Sequence, residues 1–121
     1  MQILKEELMK ELSQYPITPQ IDPKHYVFTK EFYLTLTYKL IYKYQVIAKE
    51  IVKEDCFIER LNALREKDDV TYSQIIAEEE KKATEASLAI KDIVFDYFNI
   101  INKQFEITTE FYRKEEDYQK Q

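Results

Sequence analysis

Residues Tyr72–Phe111 read YSQIIAEEEKKATEASLAIKDIVFDYFNIINKQFEITTEF, and the spacing within this stretch decides the fold. Tyr72, Ile76, Glu79, Ala83, Ala86, Ile90, Ile93, Tyr97, Ile100, Gln104, Ile107 and Phe111 succeed one another in alternating steps of four and three. That period holds one stripe of a helix against a neighbour, and here it continues for about five heptads. Thr71 and Gln74 form a capping-box pattern just after Asp68-Asp69-Val70, so the spacing predicts a helix over 71–117.

Upstream, Leu40, Tyr44, Ile47, Ile51, Glu54, Ile58, Leu61 and Arg65 carry the same rhythm. Thr29 is a suitable N-cap, and Glu31 in the first turn suits the helix dipole, which predicts a second helix over 29–67. A connection of a few residues between two such helices makes them antiparallel neighbours. With the turn centred near Asp69, Ile58 faces Ala83, Ile51 faces Ile90 and Tyr44 faces Tyr97. The same register matches Lys43 with Asp96, Lys49 with Asp92 and Lys53 with Glu85.

Leu4, Leu8 and Leu12 put one apolar stripe on a short helix over 1–14. Pro16, Pro19 and Pro23 then mark 15–28 as an extended connector. From Lys24 to Gln121 there is neither glycine nor proline, where average usage would supply roughly a dozen. A chain without those residues has little use for tight turns. The expected fold is all-α: one domain over 1–121, a long antiparallel, coiled-coil-like helical hairpin with the short helix packed at its open end, three helices in all.

The missing glycine also bounds chemistry. Phosphate-cradling loops and the G-x-S-x-G nucleophile elbow both need it. His25 is the single histidine, with Asp22 three residues before it, and no Glu-x-x-His pair exists for a metal bundle. Cys56 is the single cysteine, and the seam sets it off the packed face, so a Cys56–His25 dyad has nothing to assemble it. No catalytic, cofactor-binding or metal-ligating set is assigned, and the chain reads as a non-enzyme with no cofactor. Glu54 and Glu79 on the seam read as solvated charges or as partners of Arg60 and Arg65.

The net charge of −5 is uneven: residues 1–60 balance nine basic against nine acidic side chains, and residues 61–121 set nine against fourteen. An acidic chain with three arginines argues against nucleic acid as a partner. No apolar run is long enough to span a bilayer, the first residues are too charged for a secretory signal, and one cysteine suits a reducing, cytoplasmic or other intracellular compartment.

Away from the turn each long helix gains a second apolar stripe. Phe32, Leu34, Leu36, Tyr38, Ile41 and Val46 form one, and Val94, Phe98, Ile101, Phe105 and Tyr112 the other. Two stripes imply two neighbours, and fourteen residues of short helix cannot cover both. Phe32, Tyr38, Ile41, Val94, Phe98, Ile101, Phe105 and Tyr112 are therefore the expected partner-binding residues. The partner would be another protein or a second copy, and the chain a small structural subunit or adaptor. Two alternatives rank below: an acidic regulator occluding a basic site on a partner, and a peripheral membrane contact through the Lys/Tyr segment 38–44.

Overall fold

A computed structural model describes the backbone of residues 2–119 and the side chains of residues 3–115. As the sequence predicts, it is all-α, with only a two-stranded ribbon besides. Helix α1 (Gln2–Leu12) buries Leu4, Leu8 and Leu12, the stripe read from their spacing. It packs on the two long helical segments, and the Tyr97 hydroxyl donates to the Tyr15 carbonyl at 2.7 Å to hold the chain leaving it.

The connector over 15–28 is more ordered than expected. Strands β1 (Ile21–Asp22) and β2 (Val27–Phe28) pair antiparallel, with Ile21 opposite Phe28. Asp22 organises the four-residue loop by accepting from the Lys24 amide at 2.9 Å, while its carbonyl accepts from the Tyr26 amide at 2.8 Å.

Thr29 caps the next helix as its position implies, accepting from the Phe32 amide at 3.3 Å. The helical run from Lys30 to Arg65 is not one uniform α-helix. Helix α2 (Lys30–Leu34) leads into a π-helix (Thr35–Tyr42), then α3 (Lys43–Asp55) and, after an offset at Cys56, α4 (Phe57–Arg65). The inward row is Leu36, Leu40, Tyr44, Ala48, Val52 and Cys56, all buried and all four apart. In an α-helix each step of four over-rotates by about 40°, so such a row winds off the core within a few turns. The π-helix closes i→i+5 hydrogen bonds in wider turns that offset this drift over 36–44, the first part of the row. Thr35, Thr37 and Ile41, β-branched and weak helix formers, lower the cost of leaving α geometry there.

This row corrects the expected four-three seam. Ile47 and Ile58 lie outside at 36% and 62% exposure, and Cys56 is on the packed face.

The turn also differs in detail. Lys67 takes a left-handed conformation (φ 54°), its amide donates to Leu64 and that of Asp68 to Ala63, both at 3.1 Å, which is a Schellman ending for α4. Asp68, not Thr71, then caps α5 (Asp69–Phe98), accepting from the Thr71 amide at 3.1 Å and its hydroxyl at 2.7 Å. The chain therefore reverses at Lys67–Asp68; the Arg60–Glu79 pair still fits the expected register near the turn, but farther out that register is displaced. Gln45 Nε2 donates to the Ser87 carbonyl at 2.9 Å, eight residues before the Phe95 that register would set opposite it. Lys43 pairs with Glu11 at 3.4 Å instead of Asp96, and neither Lys49–Asp92 nor Lys53–Glu85 forms an ion pair among the described residues.

The helix expected over 71–117 is interrupted at Asn99. Asn99 is left-handed (φ 54°), its amide donates to Asp96 at 3.2 Å and that of Ile100 to Phe95 at 2.8 Å, with Ile100 and Phe95 both buried. Gln104 then bonds the Ile101 amide at 3.2 Å and opens α6 (Asn102–Gln119). Ten residues of unbroken helix would separate Phe95 from Phe105 by about 15 Å, yet their rings are 5.2 Å apart. The axis turns sharply there, and α6 packs on β2.

The Asp68 cap has a testable consequence. The Thr71 hydroxyl and amide hold its carboxyl below the ordinary aspartate value. A carboxyl depressed in the folded state contributes stability that is complete above the unfolded pKa of about 3.9 and is lost as pH falls through the folded value. Thermal melts of the wild type should therefore fall more steeply than those of Asp68→Asn below about pH 4. Asp22, lowered first by its hydrogen bond to His25 and then by the Lys24 amide, acts in the same direction in both proteins.

Candidate functional site

Most of the expected docking residues are spent inside the chain. Ile41, Val94 and Phe98 are buried in its own core, which corrects their assignment as partner-binding positions. Phe32 is half-buried, edge-on to Phe28 at 5.3 Å and to Phe98 at 5.2 Å. Phe105 is half-buried between Phe95 and Tyr33, and Tyr112 stacks on Tyr33 at 5.4 Å while donating to the Phe28 carbonyl at 2.6 Å. Burial, then the charges of Asp22 and Glu115, raise the Tyr112 phenol above its ordinary value and keep it a donor. The break at Asn99 accounts for this: α6 folds over the second stripe that a straight helix would have left open. Only Tyr38 and Ile101 of the expected set remain exposed, at 60% and 62%.

One exposed apolar row lies elsewhere, on the outer side of the run from α2 through the π-helix into α3, apart from Phe57, Ile58 and Leu64 on α4. Leu34, Tyr38, Tyr42 and Val46 are exposed at 42%, 60%, 59% and 43%, each four residues from the next. The Tyr38 and Tyr42 rings meet edge-to-face at 6.4 Å. The mechanism that keeps the buried row inward keeps this one together, since both advance by four through the same wide turns. Lys30 and Glu50, also exposed, continue the row at either end. The recurrence at four is the signal the sequence offers, hidden because the segment also fits steps of four and three.

Beside the ridge lies a groove of about 400 Å³ between α2, the π-helix and α6, lined by Lys30, Tyr33, Leu34, Tyr38, Thr109, Tyr112, Arg113 and Glu115. Two of its walls are joined and a third residue is held: the Tyr33 hydroxyl donates to Thr109 Oγ1 at 3.0 Å, and Tyr112 is fixed by its bond to the Phe28 carbonyl. Arg113 is held by Glu110 at 3.1 Å.

The titratable groups weighed in the sequence stay apart. His25 bonds Asp22 at 3.0 Å and rests on the Phe111 ring at 5.0 Å, whereas Cys56 is buried at the junction of α3 and α4. Glu54 is exposed. Glu79 pairs with Arg60 at 3.0 Å with both side chains largely covered, and Arg60 also donates to the Lys53 carbonyl at 3.0 Å. A double-mutant cycle with Arg60→Ala and Glu79→Ala in urea should give a coupling of about 1 kcal/mol. Zero coupling would mean that the pair is no better than a solvated one.

Burial, followed by the adjoining Glu11 and Glu7 carboxylates, raises the Tyr44 phenol far above its ordinary value, as suits a core residue. Among the described residues no three His, Cys, Asp or Glu side chains gather as a metal would require, and no helix is long and apolar enough to cross a membrane. Comparison with protein-family models, curated proteins and solved structures finds no match.

Proposed function

We propose that this chain is a non-enzymatic helical interaction protein, a small subunit or adaptor that docks through an aromatic helical face. The observation that carries this reading is the ridge Leu34, Tyr38, Tyr42, Val46. It is contiguous, lies on a helix whose opposite side is wholly engaged with the core, and borders a groove with hydrogen-bonded walls. Single exposed apolar side chains are ordinary on a soluble surface, and Ile3, Ile17 and Ile101 are of that kind. Four in one row are a patch, and patches mark contact sites. Tyrosine suits the task, offering a large apolar face and a polar tip with few rotors to immobilise.

The test is a photo-reactive side chain placed at Tyr38 or Tyr42, with Lys81 as a distant control, and irradiation in a native extract. Adducts of defined mass at the first two positions and none at Lys81 are expected. Equal or absent labelling at all three would overturn the reading.

A further inference from the structure

We infer that the partner seated on this ridge is a second copy of the same chain, packed antiparallel about a two-fold axis between Tyr38 and Tyr42. The inference rests on the interaction reading above and names its partner. Read outward, the exposed row is Lys30, Leu34, Tyr38, Tyr42, Val46, Glu50. Reversed and laid against itself, Tyr38 meets Tyr42, Leu34 meets Val46 and Lys30 meets Glu50. Every position finds a complement: aromatic on aromatic, aliphatic on aliphatic, cation on anion. A two-fold interface uses one patch twice and must be self-complementary, which an arbitrary amphipathic face is not.

The π-helix is what makes the row usable. Five steps of four along pure α-helix would rotate it by about 200°, setting Lys30 and Glu50 on opposite sides of the helix. The wider turns over Thr35–Tyr42 reverse part of that drift, so one face carries all six residues. Lys30 and Glu50 form no ion pair among the described residues and are free to pair across the axis. Lys39 and Lys43 fall on one flank in both copies. Glu11, 3.4 Å from Lys43, supplies a counter-charge there.

About five helical turns on each side make an interface at the small end of the range for specific pairs, so a dissociation constant on the order of micromolar is expected. Sedimentation velocity of the purified full chain should show reversible conversion between the 14.7 kDa species and one of twice that mass. Tyr38→Ser/Tyr42→Ser should weaken the dimer by about tenfold or more with far-UV circular dichroism unchanged. Lys30→Glu should weaken it by about three- to fivefold, and Lys30→Glu/Glu50→Lys should restore it, because the swap re-forms the pair only across an antiparallel self-contact.

Three results would overturn the inference: a monomer at all concentrations, a dimer indifferent to Tyr38 and Tyr42, or a swap variant no better than Lys30→Glu. A monomer that pellets with phosphatidylserine vesicles through the same tyrosines would assign the ridge to lipid. A monomer whose Tyr38 cross-links to a different protein in extract would refute the dimer and leave the interaction reading standing.

Discussion

Phe98→Ala is expected to cost about 3–5 kcal/mol of folding stability, measured by urea denaturation, the usual range for emptying a buried aromatic site. Phe98 is 1% exposed and sits edge-on to both Phe32 and Tyr97, at 5.2 and 4.9 Å. Those rings are held from several directions, by β2, by α1 and by the start of the second helical run, so the walls cannot collapse into the space. Tyr38→Ala, at 60% exposure, should change stability by less than about 0.5 kcal/mol. The contrast separates interior from contact surface within one stripe pattern. Similar small losses at both positions would mean that Phe98 is not an interior residue.

Asn99→Val is expected to destabilise the chain by about 2 kcal/mol, and Asn99→Gly to stabilise it modestly. The residue that ends α5 must be left-handed for the Schellman bonds from Asn99 to Asp96 and from Ile100 to Phe95 to close. Asparagine tolerates that region, whereas a β-branched residue suffers a steric penalty there. Straightening the break would also lift Phe105 from Phe95 and Tyr112 from Phe28, so the loss should appear as lower cooperativity as well as a lower midpoint. If Asn99→Val melts like the wild type, the break at Asn99 is not needed for the fold.

The same residues explain how much of the fold is legible in the sequence. Leu4, Leu8 and Leu12 announce α1, and Thr29 announces the second helical run. The seam from Tyr72 to Tyr97 runs along the inward side of α5, with Ala86 and Ile90 buried. Each is a local signal with one interpretation. The π-helix is illegible because residues 36–56 satisfy two periods at once, and only packing decides between a row at every fourth residue and a four-three seam. The break at Asn99 is masked by the absence of glycine. Lys67, Asn99 and Tyr26 carry the positive φ angles that glycine normally supplies, so a glycine-free chain still turns tightly. The docking face is half legible: the stripes are visible in the spacing, but which of them the chain covers depends on that hidden break.

The strap between β2 and α6 bears on how the molecule assembles. The Phe28 amide and carbonyl are bound by Thr108 and Tyr112, contacts that close 80 and 84 residues of chain. The reversal at Lys67–Asp68, by contrast, joins neighbours. Closing the longer loop carries the larger entropic penalty, so the strap is expected to form after the helices on either side of Lys67 have paired, an order that φ-values at Thr108 and Ala63 would check. Tyr112 of that strap is one wall of the groove. The surface beside the ridge therefore comes into being only when both ends of the chain have arrived, and a half-folded chain does not yet possess it.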